Sequence, residues 1–145
     1  MVRKKRDVKK NAIPYDDIDV EMRELIRCIN RVDGIETTGC CCGHGKSRAW
    51  ILLEVESTEK LNKFMYQYFY CNHGWEVSLY ITDEDIDNNN WNNLHFDLHT
   101  TDLIKHKDTL KYIEKTTKRM IEKQRNLICD KAFNKLIATR VLEDI

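Results

Sequence analysis

The stretch Ile35–Glu56, IETTGCCCGHGKSRAWILLEVE, decides how the rest of the chain is read. Ile35 to Cys41 alternates enough for a strand. Ala49 to Glu56 is apolar on both faces and reads as a central strand. Between them, Gly43-His44-Gly45-Lys46-Ser47 is a glycine-punctuated loop. Upstream, Ile18, Met22, Leu25, Ile26, Ile29 and Val32 recur at helical spacing. They predict a helix over 16–32, capped by Asp16 or Asp17 and ended by Asp33-Gly34. Arg23, Arg27 and Arg31 fall opposite that stripe and face solvent or a partner. Downstream, Thr58 caps a second helix running to about Cys71, with Leu61, Phe64, Met65, Tyr68 and Phe69 inward. Trp75 to Thr82 reads as a third strand and Leu94 to Thr100 as a fourth, with an acidic, Asn-rich loop over 83–93.

From Asp102 to Glu143 the pattern is helical. Ile113, Met120, Leu127 and Val141 fall on a seven-residue series interrupted by Asn134. One unbroken helix of that length extends ~60 Å, more than a compact body of this size spans. The expectation is a break near Asn126, or a protruding helix that pairs with another subunit. The order α-β-β-α-β-β-α predicts an α+β fold: a four-stranded, mostly antiparallel sheet, helices on one side, and a long C-terminal helical segment over 102–143. Residues 1–12 read as a flexible basic tail and 13–145 as a single domain.

Charge refines this picture. The net charge of the 145 residues is zero, yet residues 1–11 carry +5, residues 12–102 carry −10 and residues 103–140 carry +7. Basic ends around an acidic body would dock on RNA or fold back on the body. No apolar run spans a bilayer, and the basic N-terminus has no apolar stretch behind it, so a soluble, cytoplasmic protein without membrane contact is expected. Abundant Lys and Asn, with one proline at Pro14, are the bias of an AT-rich genome such as that of a low-GC bacterium or its phage.

The loop carries the chemistry. There are six cysteines, three of them consecutive at Cys40, Cys41 and Cys42. Without a secretory context, a disulfide framework is not expected. One reading is an anion site: Gly43 and Gly45 permit close backbone approach, and Lys46, Arg48 and protonated His44 add charge. It is not a P-loop, because Gly39 and Gly45 enclose five residues where that motif has four, and a strand follows. A second reading is zinc. Cys40, Cys42 and His44 alternate, Cys71 and His73 are further candidates, and on the fourth strand His95, Asp97 and His99 share a face. A third is a nucleophilic Cys41 or Cys42 beside His44 and Lys46. The plain alternative is a tight hairpin with cysteines as small core residues. Asp83, Asp85, Asp87 and Asn88 lack the glycine and glutamate of a calcium loop. Trp91, in the same polar loop, could stack on a base.

Ile29-Asn30 followed by Thr37-Thr38-Gly39-Cys40-Cys41-Cys42-Gly43-His44 resembles the wybutosine-synthesising tRNA methyltransferase family, which has Ile-Asn ahead of Thr-Thr-Ser-Ser-Cys-Ser-Gly-Arg. Thr37, Thr38, Cys41 and Gly43 match; Gly39, Cys40, Cys42 and His44 depart, with His44 in place of the arginine. Leu98-His99 is similar to a later family histidine. The resemblance spans about residues 18–56, and it implies a related α/β fold with a site for nucleotide-like ligands at this loop. The segment is also similar to Cys-Gly-His-Gly loops of small bacterial and phage proteins.

The expected function is binding of an anionic, nucleotide-like ligand without turnover, in the manner of a sequestering protein. Cys42, Gly43, His44, Gly45, Lys46, Ser47 and Arg48 would contact it, His99 would orient it and Trp91 would cover a base. The alternatives are an RNA-modifying methyltransferase-like enzyme and a zinc-stabilised interaction module that forms a homo-oligomer through its C-terminal helix.

Overall fold

A computed structural model describes residues 12–70, 74–81 and 94–143. The expected tail therefore lies outside the described residues except for Ala12, as do Cys71, His73, Trp91 and the loop over 83–93. The helices are α1 (Arg23–Asn30), α2 (Thr58–Phe69) and α3 (Thr109–Glu143), and the strands are β1 (Ile35–Cys41), β2 (Trp50–Val55), β3 (Trp75–Leu79) and β4 (Leu94–Thr100). All strand pairs are antiparallel, in the spatial order β1-β2-β4-β3. The predicted α+β architecture is the observed one.

The pairing register sorts the side chains. Ile35 and Thr37 stand opposite Val55 and Leu53, while Ile51 and Leu53 stand opposite Leu98 and Phe96. This face joins Leu25, Ile26 and Ile29 of α1, Leu61 and Phe64 of α2, and Ile113 and Met120 of α3 in one core. Thr38 is an extra residue in β1: Thr37 pairs with Leu53 and Gly39 with Leu52, so the strand bulges there. At the free edge of β1, the Thr37 carbonyl accepts from the Ile13 amide (3.2 Å), and its amide donates to Asn30 Oδ1 (2.9 Å). The edge is thus closed to another strand at that point.

The predicted helix over 16–32 is instead broken. Short 3-10 turns cover Tyr15–Asp17 and Val20–Met22, and only Arg23–Asn30 is α-helical. Ile18 and Asp19 are extended (ψ 133° for both), and neither Asp16 nor Asp17 caps a helix. The physical reason is a tertiary contact: Asp19 Oδ2 accepts the Cys42 amide at 3.1 Å. Arg23 is also not free in solvent. Its Nε donates to the Ile18 carbonyl (3.1 Å), and its guanidinium lies 4.6 Å from the centre of the Tyr15 ring. The second helix is capped by Ser57, one residue before the predicted Thr58; its side chain accepts from the Lys60 amide at 3.2 Å.

Helix α3 begins at Thr109, seven residues later than predicted, after a turn over 101–104 and a 3-10 turn at His106–Asp108. It does not break at Asn126. Ile113, Met120 and Leu127 of the seven-residue series face the body. Trp75 Nε1 donates to the buried Thr116 hydroxyl (2.9 Å), and Gln124 Nε2 donates to the Cys28 carbonyl (2.7 Å). Beyond Leu127, Ile128, Cys129, Asp130, Lys131, Ala132, Lys135 and Leu136 are all exposed. The last sixteen helical residues extend about 24 Å.

One packing prediction arises here. Gly74 is buried, and a Cβ at that position would fall on the hydroxyl end of the Tyr112 ring. That ring is stacked on Trp75, with centroids 6.0 Å apart. Gly74→Ala is expected to push Tyr112 out and cost about 1–3 kcal/mol, read from the midpoint of urea unfolding.

Candidate functional site: the loop between β1 and β2

Residues 42–49 turn the chain from β1 into β2 through three consecutive left-handed residues: Gly43 (φ +82°), His44 (φ +52°) and Gly45 (φ +76°). A side chain at Gly43 would collide with the Ser47 carbonyl oxygen. The Gly43 carbonyl accepts from the Lys46 amide (2.9 Å), the Ser47 amide (3.1 Å) and the Ser47 hydroxyl (3.3 Å). His44 is the one non-glycine described residue in left-handed backbone, a conformation that costs roughly 1–2 kcal/mol. That bend brings its ring back over the start of the loop.

The bulge at Thr38 decides which sulfurs face where. Counting by twos from Ile35 would place Cys40 and Cys42 on the solvent side. The extra residue inverts the alternation, so Cys40 pairs with buried Ile51 and packs on the core, and Cys42 is only 2% exposed. Cys41, opposite Trp50, lies on the other face. Burial, with the Asp19 charge adding to it, pushes the Cys40 thiol up to about 11. Burial also raises that of Cys42, against a hydrogen bond from the His44 backbone. Buried thiols with raised pKa are poor nucleophiles, although Cys42 Sγ lies 3.5 Å from His44 Nδ1.

The predicted cysteine–histidine set therefore changes membership. Asp19, Cys41 and His44 each offer a donor atom, all within 4.8 Å of one another. His44 Nε2 is 3.8 Å from Asp19 Oδ2. Asp19 was missed by sequence reading because it lies more than twenty residues from the loop, inside an apparent helix.

Most loop amides are already committed. The Cys42 amide donates to Asp19, that of Gly43 to Cys41 Sγ (3.4 Å), and those of Lys46 and Ser47 to the Gly43 carbonyl. Arg48 pairs with Asp102 at 2.8 Å. Lys46 is exposed, and no ion pair holds it among the described residues. His95, Asp97 and His99 do share the outer face of β4, but they do not converge as a metal cluster. His99 Nε2 lies 2.8 Å from Glu76 Oε1 and its Nδ1 lies 3.2 Å from the Asp97 carbonyl oxygen, so each ring nitrogen faces an acceptor. The Asp97 Oδ1 atom is buried without a hydrogen-bond partner, 3.7 Å from His99 Nδ1. His99 stands opposite Trp50 at the end of the loop, its ring held between Glu76 and Asp97, and Trp91 lies outside the described residues.

Beyond Asp102 the chain forms an open, solvent-facing cavity lined largely by exposed side chains. It measures about 420 Å³, and its walls include Lys105, Lys107, Lys111, Lys115, Leu103 and Tyr112. Asp108 is the one carboxylate in the lining, and none of the four lysines forms an ion pair among the described residues. The four lysines fall inside the basic segment over residues 103–140. Lys105 and Lys107 precede α3, Lys111 and Lys115 occupy its first two turns, and the 3-10 turn at His106–Asp108 joins the two pairs.

No protein-family model matches the chain, and no curated protein or solved structure matches it. No helix among the described residues is long and apolar enough to cross a membrane.

Proposed function

We propose that this protein binds a phosphate-bearing, nucleotide-like anion without turning it over, and that the anion sits in the lysine-lined cavity beside the loop. The observation that carries this reading is the group of four lysines without ion pairs around a cavity of about 420 Å³. The lysines stand exposed around it, so an anion can reach them from solvent. Lysine supplies strong, compact charge for phosphate oxygens. Tyr112, braced against Trp75, and the exposed Leu103 offer apolar surface for the rest of the ligand. The Arg48–Asp102 pair joins the end of the loop to the residue before Leu103, so Lys46 and Arg48 become rim positions. The cavity lining holds no histidine or cysteine and one carboxylate, which favours binding over chemistry. Five described cysteines are free, which fits a reducing, cytoplasmic setting.

Two features favour larger partners. The basic residues continue along α3, nine against four acidic ones, and support contact with RNA. Exposed Ile128 and Leu136 support pairing with a second copy along the C-terminal half of α3.

Fluorescent nucleoside triphosphates titrated against the full chain test the main reading. Lys111→Ala with Lys115→Ala is expected to weaken binding by about tenfold or more, since each charge-assisted contact is worth roughly 1.5–3 kcal/mol before screening by salt. Equal affinity in the double variant, or no binding below millimolar concentration, rejects this site. A loss confined to Lys46→Ala with Arg48→Ala returns the ligand to the loop. Preference for RNA over nucleotide, with a steep salt dependence, replaces the small ligand by a polymer.

A further inference from the structure

We propose that Asp19, Cys41 and His44 form a zinc-binding site, separate from the lysine-lined cavity. Their donor atoms are a carboxylate oxygen, a sulfur and an imidazole nitrogen, all within 4.8 Å of one another. Tetrahedral zinc with ordinary bond lengths places such donors about 3.3–3.6 Å apart. His44 Nε2 and Asp19 Oδ2 already stand at 3.8 Å, so closure requires a small movement.

The surroundings of each donor fit this use. The Cys42 amide donates to Asp19 Oδ2 at 3.1 Å and fixes that carboxylate. The Gly43 amide points at Cys41 Sγ from 3.4 Å, where it supports a thiolate. Cys42 Sγ lies 3.5 Å from His44 Nδ1 and holds one side of the ring, leaving Nε2 turned toward Asp19. Ligands of bound metals are characteristically oriented by such outer partners. The left-handed backbone at His44 is what turns the ring inward, and such strain concentrates at functional positions.

The donor set selects the metal. Magnesium and calcium take oxygen ligands, whereas sulfur with imidazole suits zinc and related borderline ions. The His44 side chain is 65% exposed, so the fourth position faces solvent and takes water or an external ligand. Binding deprotonates Cys41 and releases that proton to solvent, leaving the Cys41 sulfur as an anionic ligand.

The test uses the full chain, stripped with chelator and titrated with zinc chloride. Native mass spectrometry counts bound metal, and iodoacetamide labelling with peptide mapping reads each thiol. The expected result is one zinc per chain, with Cys41 protected from labelling and exposed Cys129 unprotected. Cys41→Ser and His44→Asn are each expected to weaken zinc by at least ~10–100-fold, the loss that follows even removal of an outer partner. His44→Asn is chosen because asparagine tolerates left-handed backbone, so a folded variant is retained for the measurement. The proposal is overturned if no zinc binds, or if His44→Asn, folded by circular dichroism, binds it as well as the parent. It is equally overturned if zinc is lost with Cys40→Ala and kept with Cys41→Ser. Nucleotide titrations play no part in these readouts, so this site and the anion cavity stand or fall separately.

Discussion

Phe64→Ala is expected to destabilise the protein by about 3–5 kcal/mol, as is usual for removal of a buried aromatic ring. Phe64 is fully buried in α2. Its ring centre lies 5.8 Å from that of Tyr68 and 5.4 Å from that of Phe69, and Phe69 in turn meets Trp75 of β3 at 6.1 Å. The ring therefore starts a chain of contacts from α2 through the sheet to Tyr112 of α3, and three of its links are aromatic pairs that favour tilted or offset geometry. Alanine leaves a cavity that the rigid sheet cannot collapse to fill. Domains of this kind have only about 5–15 kcal/mol in total, so the variant is expected to be partly unfolded at 37 °C. Urea unfolding followed by tryptophan fluorescence measures the loss, with exposed Lys63→Ala as a control expected to stay within about 0.5 kcal/mol. A loss below about 1 kcal/mol for Phe64→Ala would mean that α2 is not part of the cooperative core.

Asn30→Ala is expected to cost about 2–4 kcal/mol, because it strands two donors at once. Asn30 Oδ1 accepts both the Thr37 amide (2.9 Å) and the Thr37 hydroxyl (3.1 Å), and Thr37 is fully buried. No water can replace the lost oxygen without opening the edge of β1. Hydrogen exchange at the Thr37 amide distinguishes this from a general loss of stability: it should rise further than exchange at core amides of β2. Asn30→Asp retains the acceptors and is expected to recover part of the loss. If the alanine variant costs less than about 0.5 kcal/mol, the tie between α1 and β1 contributes nothing. Ile29, Asn30 and Thr37 are among the residues that carry the family resemblance. In this chain Ile29 lies in the core and the other two lock a helix onto a strand, so their pattern has a structural explanation independent of chemistry.

These ties also show what could be read from the chain and what could not. The hairpin was legible because alternation and a glycine-rich turn act over neighbouring residues. The C-terminal helix was legible from its repeated apolar positions, and it runs unbroken past Asn126. The broken first helix was not legible. Ile18 and Met22 keep helical spacing, but the extended conformation at Asp19 answers to an amide on Cys42, far along the chain. The facing of the cysteines was not legible for a related reason: Thr38 adds one residue to β1, and a count by twos from Ile35 carried past it puts Cys40 and Cys42 on the outer face instead of against the core. The basic excess over residues 103–140 was legible as charge, but its focus around one cavity was not, because that depends on the 3-10 turn before α3.

The bulge at Thr38 makes the gene unevenly tolerant of small deletions. Loss of the codon for Thr38 leaves every later residue of β1 opposite its present partner, so Cys41 still points outward and Cys40 and Cys42 inward. Loss of the codon for Gly39 can be absorbed in the same way, with Thr38 sliding into the vacated pairing position. Loss of the codon for Cys40 also keeps Cys41 opposite Trp50, but it slides Gly39 into the position opposite buried Ile51 and removes a side chain that packs on the core. The spare residue thus buffers the pairing register of this hairpin against a one-codon loss, and what differs from site to site is which side chain the core gives up.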